Sequence, residues 1–144
     1  MNRRDLVLAI LAAADGRPYT PVQIQKAVFV ICDELPNLID EGPGFDFQPY
    51  DYGPFDSDVY SVVQRLEDAG FAEIAQSARG NWNTYAATDD GVRVGDVTLA
   101  ELDHDERDYI NRVSEWVRRL GFAQLVKSIY EAYPDMRARS IFRG

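Results

Sequence analysis

Five consecutive apolar residues inside a helix limit the folding of this chain more than any other feature. The run is Val28-Phe29-Val30-Ile31-Cys32, and it follows the segment Thr20-Pro21-Val22-Gln23. That segment is a capping box with proline at the first helical position. The threonine side-chain oxygen accepts a backbone N–H of the helix, and the glutamine side chain accepts the backbone N–H of the threonine. A helix without a polar face must be buried on nearly all sides. We therefore predict a helix from residue 21 to about residue 35 at the centre of the core.

Apolar residues at helical spacing predict four further helices. Their expected positions are residues 3–14, residues 57–69, a long helix that starts at a second capping box, Thr98-Leu99-Ala100-Glu101, and residues 122–133. Asp56 or Ser57 caps the helix over residues 57–69, because an oxygen-bearing side chain at that position accepts an unpaired backbone N–H. Gly121 separates the last two helices.

Strand signals are confined to two places. Residues 71–78 and 82–88 are predicted to pair as a hairpin, with turn-forming residues at its tip. Between the second and third helices, Phe45, Phe47 and Gln48 predict a short edge strand, because the neighbouring prolines limit central pairing.

Three helices followed by a β-hairpin is the order of a winged helix. We predict an α+β, mainly helical fold, with a winged-helix-like three-helix core, a β-hairpin wing and two C-terminal helices. Residues 1–96 form the core with an aromatic insertion, and residues 97–144 form a helical extension packed on it within a single domain. A chain of 144 residues buries enough surface to fold without disulfides or metal.

The charge balance excludes some partners and suggests others. Acidic residues outnumber basic ones 24 to 15, so the net charge of -9 argues against non-specific binding to nucleic acid or to an anionic membrane. Basic residues are absent between Lys26 and Arg65, where eight acids fall, whereas beyond Glu106 eight basic residues face four acidic ones. This asymmetry is either two solvated faces or a partner surface of matched sign, and both interpretations stay open.

Cysteine use and hydropathy indicate the compartment. The one cysteine, Cys32, has no internal disulfide partner, and a thiol in an apolar run suits a reducing environment. No apolar stretch approaches the length of a membrane span, and no signal-peptide core follows Met1. We therefore expect a cytoplasmic protein without a membrane partner.

The sequence predicts no catalytic residue, no metal site and no cofactor. The single histidine, His104, lies in an exposed early turn of a helix, without a second histidine for a metal cluster. Cys32 has no basic neighbour in sequence that would favour the thiolate. The segment Arg79-Gly80-Asn81 lacks the glycine spacing and the lysine of a phosphate loop. We therefore expect a protein that is not an enzyme.

DNA binding is the alternative function, because a winged helix can place its third helix in the major groove. That helix offers few suitable side chains, and its acids Asp58, Glu67 and Asp68 would repel phosphates. A DNA-binding transcriptional regulator would use the helix and the wing tip, with the candidate residues Gln64, Arg65, Arg79, Asn81 and Trp82.

The segment Phe45–Phe55 holds five aromatic residues and two prolines in eleven positions. One interpretation is that these rings roof the core between the second and third helices. The other is an aromatic, acidic surface that anchors a protein partner, since buried aromatic residues dominate many interfaces. The candidate partner-binding residues are Phe47, Tyr50, Asp51, Tyr52, Phe55, Asp56 and Asp58.

Two motifs, a helix segment and an aromatic segment followed by Val59-Tyr60, carry a resemblance to known families. The segments are Ile24-Gln25-Lys26-Ala27-Val28-Phe29, Phe47-Gln48-Pro49-Tyr50-Asp51-Tyr52-Gly53-Pro54-Phe55 and Val59-Tyr60. This pattern is similar to that of the SocA-like (Panacea) antitoxin domains and the related YwgA-like bacterial proteins, which share a leucine-glutamine-lysine helix followed by a tyrosine-glycine-proline segment. The closing residues 133–143 look more like the YwgA-like branch.

The SocA-like resemblance implies neutralisation of a toxin, by direct protein binding or by adaptor delivery to a protease. Together with the acidic charge, it leads us to expect a non-enzymatic module that binds a basic partner protein. A homodimer is left open, as is the role of Arg137, Arg139 and Arg143 in the basic tail.

Overall fold

The computed structural model describes residues 1–143, and most of them are helical. The helices are α1 (Arg3–Ala13), α2 (Pro21–Glu34), α3 (Asp58–Asp68), α4 (Asp89–Glu101), α5 (His104–Arg119) and α6 (Phe122–Ala132), followed by a short 3-10 helix over Pro134–Arg137. The strands are β1 (Gln48–Tyr50), β2 (Gly53–Phe55), β3 (Ala72–Gln76) and β4 (Asn83–Ala87). The predicted α+β, mainly helical class is confirmed.

The capping box predicted for α2 is present in both directions. The Gln23 backbone N–H donates to Thr20 Oγ1 at 3.3 Å, and the Thr20 N–H donates to Gln23 Oε1 at 2.9 Å. The apolar run lies inside, since Val28, Phe29, Val30 and Ile31 are all buried and Cys32 is half-buried. The sequence therefore identified one of the central helices correctly.

Helix α1 is also a central helix, because every residue from Leu6 to Ala12 is buried. Helix α4 lies along α1 and covers the face that would otherwise meet solvent. The two backbones approach closely at Gly95, where a Cβ atom would lie 2.4 Å from Ala12 Cβ and 2.9 Å from the Leu8 carbonyl oxygen. Only glycine fits between the two helices at this point.

The predicted capping box at residues 98–101 was wrong. Those residues form the last turn of α4, which begins after Thr88, whose Oγ1 accepts the Gly91 N–H at 3.0 Å. Helix α5 is capped instead by Asp103, which accepts the Glu106 N–H at 2.9 Å. Three helices therefore follow the wing rather than two, and the expected boundary between residues 96 and 97 falls inside α4.

The wing is the antiparallel pair of β3 and β4, with Ala72 opposite Ala87 and Gln76 opposite Asn83. Its strands are shorter than predicted, because the residues from 77 to 82 form the tip. Tyr19, in the segment between α1 and α2, forms an isolated antiparallel bridge with Tyr85 of β4, with N···O distances of 2.8 and 2.9 Å. Helices α1–α3 and this wing follow the predicted winged-helix-like order.

A second hairpin stands between α2 and α3, where the sequence predicted only an edge strand over Phe45–Gln48. Strand β1 begins at Gln48 and pairs with β2 instead. The rings of Phe45 and Phe47, before the strand, pack inwards: the Phe47 ring meets Phe29 edge-on, with the centroids 5.4 Å apart. The turn ends at Gly53, whose φ of +105° favours glycine.

None of the helices in residues 1–143 is both long enough and apolar enough to cross a bilayer.

Candidate functional site

A groove of about 780 Å³ opens on one side of the first hairpin. Its walls come from the turn of that hairpin, the first turn of α2, the wing tip and the junction between α5 and α6. Four exposed aromatic side chains stand on it, and we call it the aromatic groove. These are Tyr50, Tyr52, Trp82 and Phe122.

The four rings are unusually accessible for large apolar side chains. Their exposed fractions lie between 41% for Tyr52 and 47% for Phe122. Tyr52 and Phe122 touch edge to face, with the ring centroids 5.0 Å apart, so residues from two distant parts of the chain form one continuous surface. Exposed aromatic residues gathered on a concave surface indicate a binding site rather than a folding core.

Two buried polar residues of α2 hold the first hairpin at the floor of the aromatic groove. The Gln25 side-chain amide donates to the Asp56 carbonyl oxygen at 2.9 Å and accepts the Asp56 N–H at 3.0 Å. Gln25 therefore pairs with the chain just after β2 as a neighbouring strand would. Its burial costs little because both polar ends of its amide are hydrogen-bonded.

Lys26, the next residue, is the charged group at the floor. Its side chain is almost completely buried, and Nζ donates to the Pro54 carbonyl oxygen at 3.1 Å. Burial lowers the pKa of Lys26 to about 8, because an ammonium loses its hydration there. Gly53 leaves room for the lysine: a Cβ atom at Gly53 would lie 3.4 Å from Lys26 Cε and the same distance from the Tyr130 ring.

The two motifs that carry the family resemblance are therefore in direct contact, since Gln25 and Lys26 bond to the chain that follows Tyr52. No model of a known protein family matches the chain, and a search of curated proteins finds no significant match. The resemblance to the SocA-like and YwgA-like families stays a prediction that these motif residues carry.

Four of the seven predicted partner-binding residues line the aromatic groove. They are Tyr50, Asp51, Tyr52 and Phe55. Phe47 lies outside it, packed against Phe29 and Phe45, so for this ring the core-roofing interpretation fits better.

Asp56 and Asp58, the other two, bond within the chain. Asp56 caps α3, because its Oδ1 accepts the Asp58 N–H at 2.9 Å while its Oδ2 accepts the Asp46 N–H at 2.7 Å. Asp58 forms an ion pair with Arg3, with an N···O distance of 3.0 Å. Of the three predicted acids, Asp51 is the one whose carboxylate has no partner among residues 1–143 and lies on the groove.

The basic tail lies against the first hairpin. The Asp51 carbonyl oxygen accepts the Ile141 N–H at 2.9 Å and the Ser140 hydroxyl at 3.1 Å. The Arg139 guanidinium lies over the Tyr50 ring, 4.9 Å from its centroid, and Arg137 lies over Tyr130 at 5.4 Å. Two of the three arginines whose role was open therefore contact aromatic rings of the chain itself, while Arg143 is exposed.

The residues suggested for DNA binding do not form one surface with the groove. Trp82 lines the aromatic groove, whereas Gln64 and Arg65 lie on α3 outside its lining. The Gln64 amide donates to Glu67 and Asp68 at 3.1 and 3.2 Å, so its hydrogen-bonding groups are engaged within the helix. The other two candidates, Arg79 and Asn81, are exposed at the wing tip.

Features of metal binding and of nucleophilic catalysis are weak in the described part of the chain. Residues 1–143 contain no group of three or more His, Cys, Asp or Glu side chains that could hold a metal ion. His104 is exposed as the first residue of α5. Burial raises the pKa of the Cys32 thiol to about 12, so its reactive thiolate form is disfavoured at neutral pH.

Sequence reasoning missed the contributions of Lys26, Trp82 and Phe122 to this groove. Trp82 and Phe122 come from segments distant in sequence, so periodicity could not place them beside Tyr52. Lys26 carried a signal, because it is a lone charge on the apolar face of α2 between Ile24 and Val28. A buried lysine in that position points to a nearby acceptor or ligand.

Proposed function

We propose that the protein is a non-enzymatic protein-binding module whose aromatic groove takes a basic, apolar segment of a partner protein. The SocA-like resemblance makes an antitoxin or a protease adaptor the kind of module that we favour. The single observation that carries the proposal is the set of four exposed rings, Tyr50, Tyr52, Trp82 and Phe122, on one groove.

The chemistry of these rings supports a protein partner. Tyrosine and tryptophan are enriched among the few residues that dominate binding energy at interfaces, where they fill pockets and exclude water. Tyr52 is the central candidate, because its ring is accessible and already positioned by Phe122 at a centroid distance of 5.0 Å. An apolar side chain of the partner would pack between these rings.

The charge of the surroundings supports a basic partner. The exposed Asp51 carboxylate lies at the edge of the groove, in a chain whose net charge is -9. Charges of opposite sign speed the encounter between partners, and this effect weakens as salt rises. Asp51 would therefore act mainly on the association rate, whereas Tyr52 would act mainly on the dissociation rate.

Selection from a library of displayed random peptides tests the proposal without a known partner. We expect the enriched peptides to combine lysine or arginine with a large apolar residue. Tyr52→Ala should weaken their binding about 30-fold, chiefly through faster dissociation, as expected for an interface anchor worth about 2 kcal/mol. Asp51→Lys should slow association, most strongly at low ionic strength.

The matched control for charge is Asp96→Lys, which makes the same change at an exposed position of α4 outside the groove. It should leave the association rate close to that of the wild type. The proposal is wrong if the enriched peptides are acidic, or if folded Tyr52→Ala binds them as tightly as the wild type. Circular dichroism establishes whether each variant is folded.

A further inference from the structure

Among the residues that the structure describes, Lys26 is a buried cation without a counter-ion. Its side chain is almost completely buried, and no carboxylate in residues 1–143 forms an ion pair with it. An ammonium has three N–H donors, and the Pro54 carbonyl oxygen takes one of them. Buried charges in proteins are normally paired, because an unpaired one loses its hydration without compensation. Within residues 1–143, one of the three donors therefore has an acceptor.

Lys26 is buried at the floor of the aromatic groove, which it lines together with Gly53. A Cβ atom at Gly53 would lie 3.7 Å from Lys26 Nζ, so the glycine leaves that side of the ammonium without a covering side chain. A ligand that enters the groove can therefore reach the charge.

Other groups near the floor also favour an acceptor. The first turn of α2 lines the groove, and the start of a helix carries partial positive charge. The buried Tyr130 hydroxyl, whose ring packs beside Gly53, has no hydrogen-bond partner among the described residues.

We propose that the aromatic groove is also a binding site for a small hydrophobic carboxylate, whose acid group pairs with the Lys26 ammonium and whose apolar body lies against Tyr52, Trp82 and Phe122. The groove volume of about 780 Å³ lies within the range of small-molecule sites, which are mostly apolar with a few placed polar groups.

The charges around the groove favour a carboxylate over a phosphate. Lys26 is the one basic residue among the described residues that line the groove, so a single negative charge is the match. Asp51 lies at the edge, where it would repel a doubly charged group more strongly than a singly charged one. Among the described residues, the lining holds no arginine to form the paired hydrogen bonds that phosphate groups favour, and Arg139 over the Tyr50 ring is not a lining residue.

The test compares decanoate with decanol, which share a ten-carbon chain and differ in the head group. Binding is measured by calorimetry on the full chain below the micelle concentration, with tryptophan fluorescence as a second readout. We expect decanoate to bind the wild type about tenfold or more tightly than decanol, because charge-assisted hydrogen bonds are the stronger ones. Equal affinities for the two probes would overturn the proposal.

Two variants separate charge from packing. Lys26→Met keeps an unbranched side chain of similar length and should lose the preference for decanoate while still binding decanol. Lys26→Arg keeps the positive charge and should retain at least part of the preference. A preference that is undiminished in folded Lys26→Met assigns the acid group to another residue, and the proposal then fails.

This proposal stands independently of the protein partner. Neither probe is a peptide, so loss of peptide selection would leave the decanoate result intact, and the reverse holds as well. If both are true, the two ligands occupy the same groove, and decanoate should displace the selected peptides from the wild type. Peptides that stay bound at saturating decanoate would contradict the shared groove.

Discussion

The two hairpins of the protein share the same antiparallel pairing but are held in place by different means. The wing has five paired positions, from Ala72 opposite Ala87 to Gln76 opposite Asn83, and its base is tied to the core by the bridge between Tyr19 and Tyr85. The first hairpin has three paired positions. Isolated two-stranded ribbons are marginally stable in water, so the shorter one needs external support.

That support comes from two distant segments of the chain. Gln25 and Lys26 of α2 bond to the chain at Asp56 and Pro54, and the tail bonds to Asp51 through Ser140 and Ile141. The hairpin that carries Tyr50 and Tyr52 is therefore positioned by side chains outside it, whereas the wing combines a longer ladder with the Tyr19–Tyr85 bridge. The comparison teaches that the position of Tyr50 and Tyr52 in the aromatic groove should be sensitive to α2 and insensitive to the wing strands.

The largest expected effect is at Gln25. Gln25→Leu removes both hydrogen bonds to the Asp56 backbone at a buried position and should lower the free energy of unfolding by about 3 kcal/mol. Urea denaturation measures the loss. Hydrogen exchange should accelerate for residues 48–55 more than for residues 72–87, because the first hairpin loses its support.

The matched control is Gln76→Leu, which makes the same change at an exposed position of β3. Its effect on stability should stay within about 0.5 kcal/mol, as is usual for a surface position. Equal acceleration of exchange in both hairpins of Gln25→Leu would show that they open together, and the contrast drawn above would then be wrong.

A smaller effect of opposite sign is expected at Lys26. At pH 7 the folded state carries the ammonium in a buried site, and its pKa is lowered from 10.5 to about 8. That shift corresponds to about 3 kcal/mol of destabilisation. Lys26→Met removes this cost along with the hydrogen bond to Pro54, so the variant should be more stable than the wild type by about 2 kcal/mol.

This gain should depend on pH in one direction. Between about pH 8 and pH 10.5 the unfolded chain binds more protons at Lys26 than the folded chain does. The stability that Lys26 contributes therefore rises with pH across this window, and the advantage of Lys26→Met shrinks. Thermal melts of both proteins at pH 7 and pH 10 measure the difference. Asp51 and the Tyr60 and Tyr130 hydroxyls are the same in both proteins, so they do not account for a change in the stability difference. A stability difference that stays constant with pH would mean that Lys26 is hydrated in the folded state.

The smallest effect is expected at the wing tip. The double variant Arg79→Ala with Asn81→Ala changes two exposed side chains, so the stability should change by less than about 0.5 kcal/mol. We also expect no binding of the wild type to mixed-sequence duplex DNA tighter than about 10⁻⁴ M at physiological salt. A gel shift at low micromolar protein that disappears in this variant would make the wing a DNA-binding element.

The fold was predictable wherever local signals agreed. The capping box at Thr20 and the apolar run at residues 28–32 located α2, because capping and periodicity are properties of neighbouring residues. Helix α4 was missed because Gly91 and Gly95 lower helix propensity, and the sequence alone does not reveal the packing against α1 that compensates for this. The first hairpin was missed because Pro49, Gly53 and Pro54 are typical of a loop.

The candidate site was predictable only in part, for the same reason. Tyr50, Asp51 and Tyr52 are adjacent in sequence, so their composition marked them. The opposite wall of the groove comes from Trp82 and Phe122, and tertiary packing alone brings these rings beside Tyr52. Asp56 and Asp58 show the converse, because the sequence indicated no partner for their carboxylates. In the structure the Asp56 carboxylate accepts the N–H groups of Asp46 and Asp58, and the Asp58 carboxylate accepts from Arg3.

The close crossing of α1 and α4 bears on efforts to engineer this protein. A common recipe for thermostability replaces helical glycines with alanine, which gains about 1 kcal/mol per site in an exposed helix. Here the recipe would select Gly91 and Gly95, where the added methyl would lie 1.9 Å from the Phe71 carbonyl oxygen and 2.4 Å from Ala12 Cβ. The residues that look weakest in the sequence are thus the ones that a designer must leave untouched.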